Sequence, residues 1–487
     1  MLTLADVVEG LTGQRPPQMD QELTEVVIDS RLAIPGSLFI ALRGERQDGH
    51  DFVPDALERG AIAAIVERKL EVGCWILDIR QKPLQLPTSN FQLPACFVVE
   101  DSLAALQRLA AYWRAKHDVR VVGVTGSVGK TTTKELIASV LSRRFRTLKS
   151  EGNYNTEIGL PLTLLHLEPS HERVVLEMGM YALGDIAQLA AIARPHIGVV
   201  TNVGPVHLER LGTIERIAQA KSELPAALPE DGVAILNGDD PRVRAMAEKT
   251  KARVFYYGVD ESCDLWASHI ESKGLEGIRF LFHYGSETIH AKVPLLGRHS
   301  VHTALAAAAV GLVEGESWGE IMDGLRNATQ LRLVVVPGLR GSTILDDTYN
   351  ASPASTIAAL NLLEELEGRK IAVLGDMLEL GTYEEEGHRK VGRRAMDVVA
   401  LLVTVGKRAR IIGEEALFWG MDKDRVFMTE DKGEAIAHLR QIVAPGDIIL
   451  VKGSRGMRME EIVAALAMAN DQNFVFFAAF RVPRDWI

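Results

Sequence analysis

Residues 119–145, VRVVGVTGSVGKTTTKELIASVLSRRF, limit the fold more than any other stretch. An apolar run, VRVVGVTG, enters a glycine-rich turn, and a helix-periodic run leaves it. Leu136, Ile137, Val140, Leu141 and Phe145 keep one helical face apolar. A strand, a tight turn and a helix in that order build a layer of an α/β fold. The turn aims backbone N–H groups and the positive end of the helix dipole at an anion. The pattern G-x-x-x-x-G-K-[ST] needs a glycine where Val124 stands; the glycine is instead Gly126. Gly126, Ser127, Gly129, Lys130, Thr131 and Thr132 therefore form a shortened phosphate loop. Lys130 can reach terminal phosphates, and the Thr131 hydroxyl can ligate Mg²⁺. No N-K-x-D run for guanine recognition occurs, so a GTPase is disfavoured and adenine is the expected base.

The chain has 487 residues, a length that suggests about three domains. Three segments alternate strand-like and helix-like runs: 1–117, 118–329 and 330–487. The first carries strand candidates TEVVIDS, SLFIAL, CWILDI and CFVVE, with a helix expected over ALERGAIAAIVER (56–68) and a loop over 80–94. The second carries the phosphate loop, the strands RVVLEMG, HIGVVTNV, VAILN and RVFYYGV, and a hairpin turning at Tyr284–Ser286. The third carries STILDD, KIAVLGD, ALLVTVG, RVFMT and DIILVKG, and Ser352-Pro353 opens a helix. The expected class is α/β in three α/β domains, the central one a mononucleotide-binding domain with a mostly parallel sheet. The tail FVFFAAF (474–480) reads as an edge strand or docked segment.

Composition narrows the partners. A net charge of −11 argues against nucleic acid. No apolar run reaches the ~18–20 residues of a membrane span, and MLTLADVVEG is no signal peptide. Cys74, Cys96 and Cys263, far apart in the sequence, point to a reducing compartment.

Three further residues carry possible chemistry. Glu177 ends the apolar run VVL, at the strand end where open α/β sheets bind ligands. It is either a ligand for Mg²⁺ or a surface glutamate. His207, in TNVGPVHLE, is a second metal candidate or a structural histidine. Lys221 shares a helical face with Ile214, Ile217 and Leu224. It either snorkels to water or turns inward, where a carbamate on its amine would be an anionic metal ligand.

Together VTGSVGKTTT, LEMG, GPVHLE and AQAKSEL resemble the Mur ligase family, ATP-dependent amide-forming enzymes of bacterial peptidoglycan synthesis. DSRLAIPGSLFIALRGERQDGHDF, GNYNTEIGLPLTLL, DDTYNASP, GDMLELG and VKGSRGMRMEEIV extend the resemblance over nearly the whole chain. They are most similar to members that join D-alanyl-D-alanine to UDP-N-acetylmuramoyl-tripeptide; the D-N-P-R signature of the sister enzymes is missing. The resemblance implies a C-terminal Rossmann-like domain, a cytoplasmic monomer, and ATP with a pair of Mg²⁺ ions held by Thr131, Glu177, His207 and a carbamylated Lys221. It places Ser30 and Arg31 at the UDP end of the substrate, and Asn153, Asn155 and Glu157 along the sugar-peptide cleft. Asn237 and His299 would approach adenine, although Ser300 and Thr303 stand where the family has asparagines. Arg332 and Asp347 would reach phosphates and ribose, with Tyr349 and Asn350 beside the nucleotide. Lys452, Ser454 and Arg455 would face the dipeptide or an acyl-phosphate. The alternatives are folylpolyglutamate synthase, which shares the shortened loop, and a regulatory P-loop ATPase.

Overall fold

The computed structural model describes residues 1–44, 47–81, 93–152, 154–206, 208–327 and 333–468. Its described strands form three sheets, met in chain order. The first is parallel, in the order β1 (Val26–Val27), β2 (Leu38–Ile40), β3 (Ala63–Val66), β5 (Ala95–Val98), β4 (Trp75–Asp78). The second has nine strands: β6 (Arg120–Thr125), β7 (Thr147–Lys149), β8 (Arg173–Glu177), β9 (Ile197–Val200), β10 (Val233–Asn237), β11 (Arg253–Gly258), β12 (Leu265–Ser272), β13 (Ile278–Tyr284) and β14 (Glu287–Val293). Their spatial order is β14-β13-β12-β11-β10-β9-β6-β8-β7, with the first two pairings antiparallel and the rest parallel. The third sheet runs β15 (Val334–Pro337), β16 (Thr343–Asp347), β20 (Ile448–Lys452), β17 (Lys370–Gly375), β18 (Leu401–Val405), β19 (Val426–Thr429), antiparallel only at β15.

These orders decide where ligands can sit. β6 lies between β8 and β9, so connections leave it toward both sides. β20 lies between β16 and β17. Each is a point where strand order reverses, and the crevice at the carboxyl ends of such strands is open for binding.

Helix packing brings the second sheet's elements close. The helix Lys130–Leu141 buries Leu136, Ile137, Val140 and Leu141 completely; Phe145, expected on the same face, lies beyond the helix end and is partly buried against the same cluster. The helix Val301–Val313, VHTALAAAAVGLV, packs against it with Ala304 to Ala309 fully buried. Small residues permit the approach: a Cβ on Gly324 would lie 2.4 Å from Val140 Cα, and one on Gly311 3.0 Å from Val140 Cγ1. The helix Ser102–Ala115 ties the first sheet to the second. Trp113 Nε1 donates to Leu167 O at 3.1 Å, and buried Arg114 Nε donates to Ala193 O at 3.0 Å. One apolar cluster runs from Leu4 and Val8 through Leu106 and Leu109 to Leu164, Leu176 and Ile186.

The parts of the chain carrying the third and second sheets meet closely at a backbone contact. Gly381 has φ +52, and a Cβ there would lie 2.8 Å from Glu209 N, in the turn Leu208–Leu211. No side chain fits between them.

Several expectations need correction. The helix expected over 56–68 stops at Glu58; Gly60, with φ +102, turns the chain, and buried Ala63–Val66 forms β3. Short apolar runs do not distinguish helix from strand by periodicity alone. β7, β12 and β15 were not expected from the sequence. The hairpin is as expected, with Tyr284 opposite Glu287. Ser352 caps the helix Pro353–Glu365 and accepts from Ser355 N. Cys74 and Cys96, expected as separate thiols, form a disulfide with Cα atoms 5.9 Å apart, because β4 and β5 are neighbours. The cysteine count therefore does not indicate the compartment. Among the described residues no helix is long and apolar enough to cross a membrane. Most of the expected loop at 80–94 and the tail FVFFAAF lie outside the described residues.

Glu316, at the far edge of this packing, is 5% exposed, and neither carboxylate oxygen has a hydrogen-bond partner. Burial, with Glu320 next, pushes its pKa up to about 7. Between the ordinary glutamate range and pH 7 the native state keeps a proton that the unfolded chain has lost, so stability falls as pH rises. Glu316→Gln should gain about 1–2 kcal/mol over the wild type at pH 8, after allowing for solvent screening, and little at pH 4.5. Urea melts at the two pH values check this.

Candidate active site at the phosphate loop

The loop is built by two glycines in backbone conformations that side chains disfavour. Gly126 has φ +148, and a Cβ there would lie 1.9 Å from Thr201 Oγ1. Gly129 has φ +85 and caps the helix Lys130–Leu141 without any side chain. The first turn of that helix therefore faces the loop mouth with its N–H groups and positive dipole end.

Neighbouring strand ends hold the loop's shape. Val128 N donates to Asn202 Oδ1 at 2.9 Å, and Thr201 Oγ1 donates to Val128 O at 2.7 Å. Ser127 Oγ accepts from Gly204 N at 2.8 Å. Lys130 Nζ folds back over the loop, 2.9 Å from Gly126 O. Thr132, in the helix's first turn, is half-buried.

Glu177 ends β8 and is 1% exposed, so it is no surface glutamate. Thr131 Oγ1 donates to its Oε2 at 2.5 Å, and Asn155 Nδ2 donates to its Oε1 at 2.8 Å. Its own N–H donates to Ser150 Oγ at 3.1 Å. Lys221, on the helix Ile214–Ala226, is 1% exposed and does not snorkel. Among the described residues its amine makes no hydrogen bond or ion pair. Burial, and after it the charge of Lys130, holds its pKa well below the usual lysine range. A hydroxyl and a carboxylate side by side suit a hard divalent cation, and burial that disfavours the charged amine favours its nucleophilic form.

The third sheet gathers a second group at the carboxyl ends of β16 and β20. Lys452 Nζ, 2% exposed, is 2.6 Å from Asp347 Oδ2 and donates to Asn350 O at 2.9 Å. Ser454 Oγ accepts from Leu378 N at 2.8 Å. Arg455 lies 6.0 Å from the Tyr349 ring and 3.5 Å from Glu460 Oε1. His299, in the turn Arg298–Ser300, lies within electrostatic reach of Asp347 and Lys452, so this group faces the second sheet.

Other expected residues are placed separately. Asn237, 7% exposed, uses its amide on Thr201 O at 2.8 Å and its carbonyl on Asp239 N at 3.0 Å. Ser30 is buried beside Asp55, and Arg31 pairs with Asp29 at 2.7 Å, both in the turn between β1 and β2. Exposed Glu157 follows Asn155, and Gln107 donates to its backbone oxygen at 3.1 Å. Tyr154 feels the charges of Asp29 and Glu25, so this turn faces the first sheet. Asn153, His207 and Arg332 lie outside the described residues. Sequence reasoning missed Ser150, Thr201 and Asn202. Thr201 and Asn202 are signalled only by position just beyond the apolar strand run HIGVV, and Ser150 by nothing in its neighbourhood.

The description "Mur ligase middle domain" matches residues 124–311, "Mur ligase, glutamate ligase domain" 331–455, and "Mur ligase family, catalytic domain" 22–114. The UDP-N-acetylmuramoyl-tripeptide–D-alanyl-D-alanine ligase of Bacillus subtilis is 39% identical over 95% of this chain and 97% of its own. The chain belongs to the Mur ligase family. Among Mur ligases of known structure, MurF from Acinetobacter baumannii superposes with a TM-score of 0.82 at 32% identity, covering 94% of this chain and 97% of that one. The MurF ligase of Thermotoga maritima in complex with ADP gives 0.76 at 31% identity, covering 91% and 96%. A folylpolyglutamate synthase of Mycobacterium tuberculosis gives 0.60 at 17% identity, over 76% of this chain and 94% of that one, a likeness of fold alone. The three-sheet α/β architecture is thus the three-domain Mur ligase fold.

Gly126→Ala should disrupt the Mur ligase loop, since both the φ angle and the Thr201 contact reject a methyl group. ADP binding by calorimetry is expected to weaken at least 100-fold. The variant should unfold about 1–3 kcal/mol more easily than the wild type.

Proposed function

We propose that this chain is an ATP-dependent ligase that adds D-alanyl-D-alanine to UDP-N-acetylmuramoyl-tripeptide in peptidoglycan precursor synthesis, working as a cytoplasmic monomer. The observation that carries this reading is the Thr131–Glu177 pair at the mouth of the phosphate loop, in a chain 39% identical to a ligase of that name. The folylpolyglutamate synthase reading loses support at 17% identity.

Chemistry explains the need for ATP. A carboxylate is a poor electrophile and does not condense with an amine in water. In the proposed reaction the tripeptide's terminal carboxylate oxygen attacks the γ-phosphorus, ADP leaves, and an acyl-phosphate forms. The amine of D-alanyl-D-alanine then attacks the acyl carbon, loses a proton, and expels phosphate. Charge builds on the transferred phosphoryl group, and fixed donors stabilise it. Lys130 swings from Gly126 O to the terminal phosphates, and the loop N–H groups orient them. Thr131 and Glu177, with His207 and Lys221, would hold a pair of Mg²⁺ ions, which supply positive charge at the phosphates. In its unprotonated form the Lys221 amine adds to CO₂ and loses a proton, becoming an anionic carbamate suited to that set.

The rest of the chain divides the remaining work. Residues 1–117 bind the UDP end through Ser30 and Arg31. Residues 118–329 carry ATP, with Asn237 and His299 near adenine and Asn153, Asn155 and Glu157 along the sugar-peptide. From residue 330 onward, Arg332, Asp347, Tyr349 and Asn350 meet the nucleotide, while Lys452, Ser454 and Arg455 meet the dipeptide or acyl-phosphate. Closure of the third unit keeps water from the intermediate.

Phosphate release should require the muramyl tripeptide and the dipeptide together; release with neither would overturn the reading in favour of a regulatory ATPase. Lys130→Ala should lower kcat at least 1,000-fold, the scale set by losing one transition-state charge contact. Lys221→Ala should be inactive with added bicarbonate and partly active with a short-chain carboxylic acid, as read by the same assay.

A further inference from the structure

One buried charge in the phosphate-loop helix is unused by the proposed reaction. Lys134 lies one turn beyond Lys130 and is 0% exposed. Its Nζ donates to Ser150 O at 2.5 Å and lies 3.4 Å from Gly152 O. It is 2.9 Å from Glu135 Oε1, and Glu135 also pairs with Lys149. An ammonium taken out of water costs several kcal/mol unless it is fully partnered. A leucine would fill the space between helix and sheet without that cost, so the lysine must do something an apolar side chain cannot.

What it holds is the chain leaving β7. Ser150 N donates to Val175 O at 3.0 Å, and Ser150 Oγ accepts from Glu177 N. At the other end of the same turn, Asn155 Nδ2 reaches Glu177 Oε1, and Asn155 O accepts from Gly179 N at 2.8 Å. Glu177 is thus gripped on one side by Thr131 of the helix and on the other by Ser150 and Asn155 of the turn. Lys134 is the side chain that joins the helix to the turn.

We propose that Lys134 is a positioning residue for Glu177. By fixing the carbonyls of Ser150 and Gly152 against the helix, it sets the distance between the turn and the phosphate loop. It thereby sets the orientation in which the Glu177 carboxylate meets a divalent cation. The inference rests on the reading of Glu177 as a cation-holding carboxylate.

The test uses Lys134→Met, the charge-balanced Lys134→Met/Glu135→Gln, Ser150→Ala, which leaves the buried ion pair intact, and Glu177→Gln. Thermal melts by circular dichroism establish which variants fold. Mn²⁺ affinity in the presence of ADP is measured by electron paramagnetic resonance, and kcat and KM by phosphate release. Each Lys134 variant that folds is expected to bind Mn²⁺ about tenfold more weakly and to lose kcat, with the dipeptide KM within twofold of wild type. Ser150→Ala should give a shift of the same kind, and combining it with the Lys134 change should add little, because both act through one turn. Wild-type Mn²⁺ affinity in a folded Lys134 variant overturns the inference, as do fully additive shifts. If neither Lys134 variant folds, wild-type Mn²⁺ affinity in Ser150→Ala overturns it. If Glu177→Gln itself leaves Mn²⁺ affinity unchanged, the underlying reading of Glu177 has failed instead.

Discussion

A carboxylate moved out of water must be met by donors, and in this chain Glu177 sets that condition for everything around it. Its donors come from separate segments, Thr131 from the helix after the phosphate loop and Asn155 from the turn beyond β7, while Ser150 Oγ accepts its backbone N–H. The parallel register pairs Val124 of β6 with Glu177 of β8, so strand pairing brings the carboxylate level with the start of the loop. Moving the register by one residue would turn Glu177 to the other face of the sheet and leave Thr131 without its acceptor.

The shortened loop belongs to the same geometry. With Val124 still inside β6, the strand continues as far as Thr125, and the turn is made within Gly126–Gly129. Thr201 and Asn202, at the end of β9, then bond Val128 directly. The loop is braced by the neighbouring strand end. Lys221 completes the pattern from a third element. Its helix buries Ile217 and Leu224 on the same face, so the packing that holds the helix also carries the amine inward.

Features whose cause is local were legible in the sequence. The strand–turn–helix signal, the helix face of Leu136, Ile137, Val140 and Leu141, the hairpin at Tyr284 and the Ser352 cap all follow from a few neighbouring residues. So did Glu177 as a strand-end carboxylate and Lys221 as an anomaly on an apolar face, though the residues alone left two readings of each. Burial removes the solvent-exposed reading of both, and burial depends on what packs above. Contacts set by strand order were not legible. Nothing near Asn202 says that β9 borders β6, nothing near Ser150 says that its hydroxyl meets β8, and nothing in the spacing of Cys74 and Cys96 says that β4 and β5 are adjacent. The run at 56–68 was misread because Ala and Ile suit a buried strand as well as a helix.

The contact at Gly381 has a consequence for how the third sheet works with the second. A hydrogen atom is all that separates its backbone from Glu209 N. Two rigid main chains meeting there act as a mechanical stop, with no soft side chain to compress. The depth to which the β16–β20 group reaches toward the phosphate loop is then gauged by the thickness of the polypeptide itself. Such a gauge is insensitive to which side chains line the cleft, so the residues that read the substrate are at liberty to vary while the working gap stays the same.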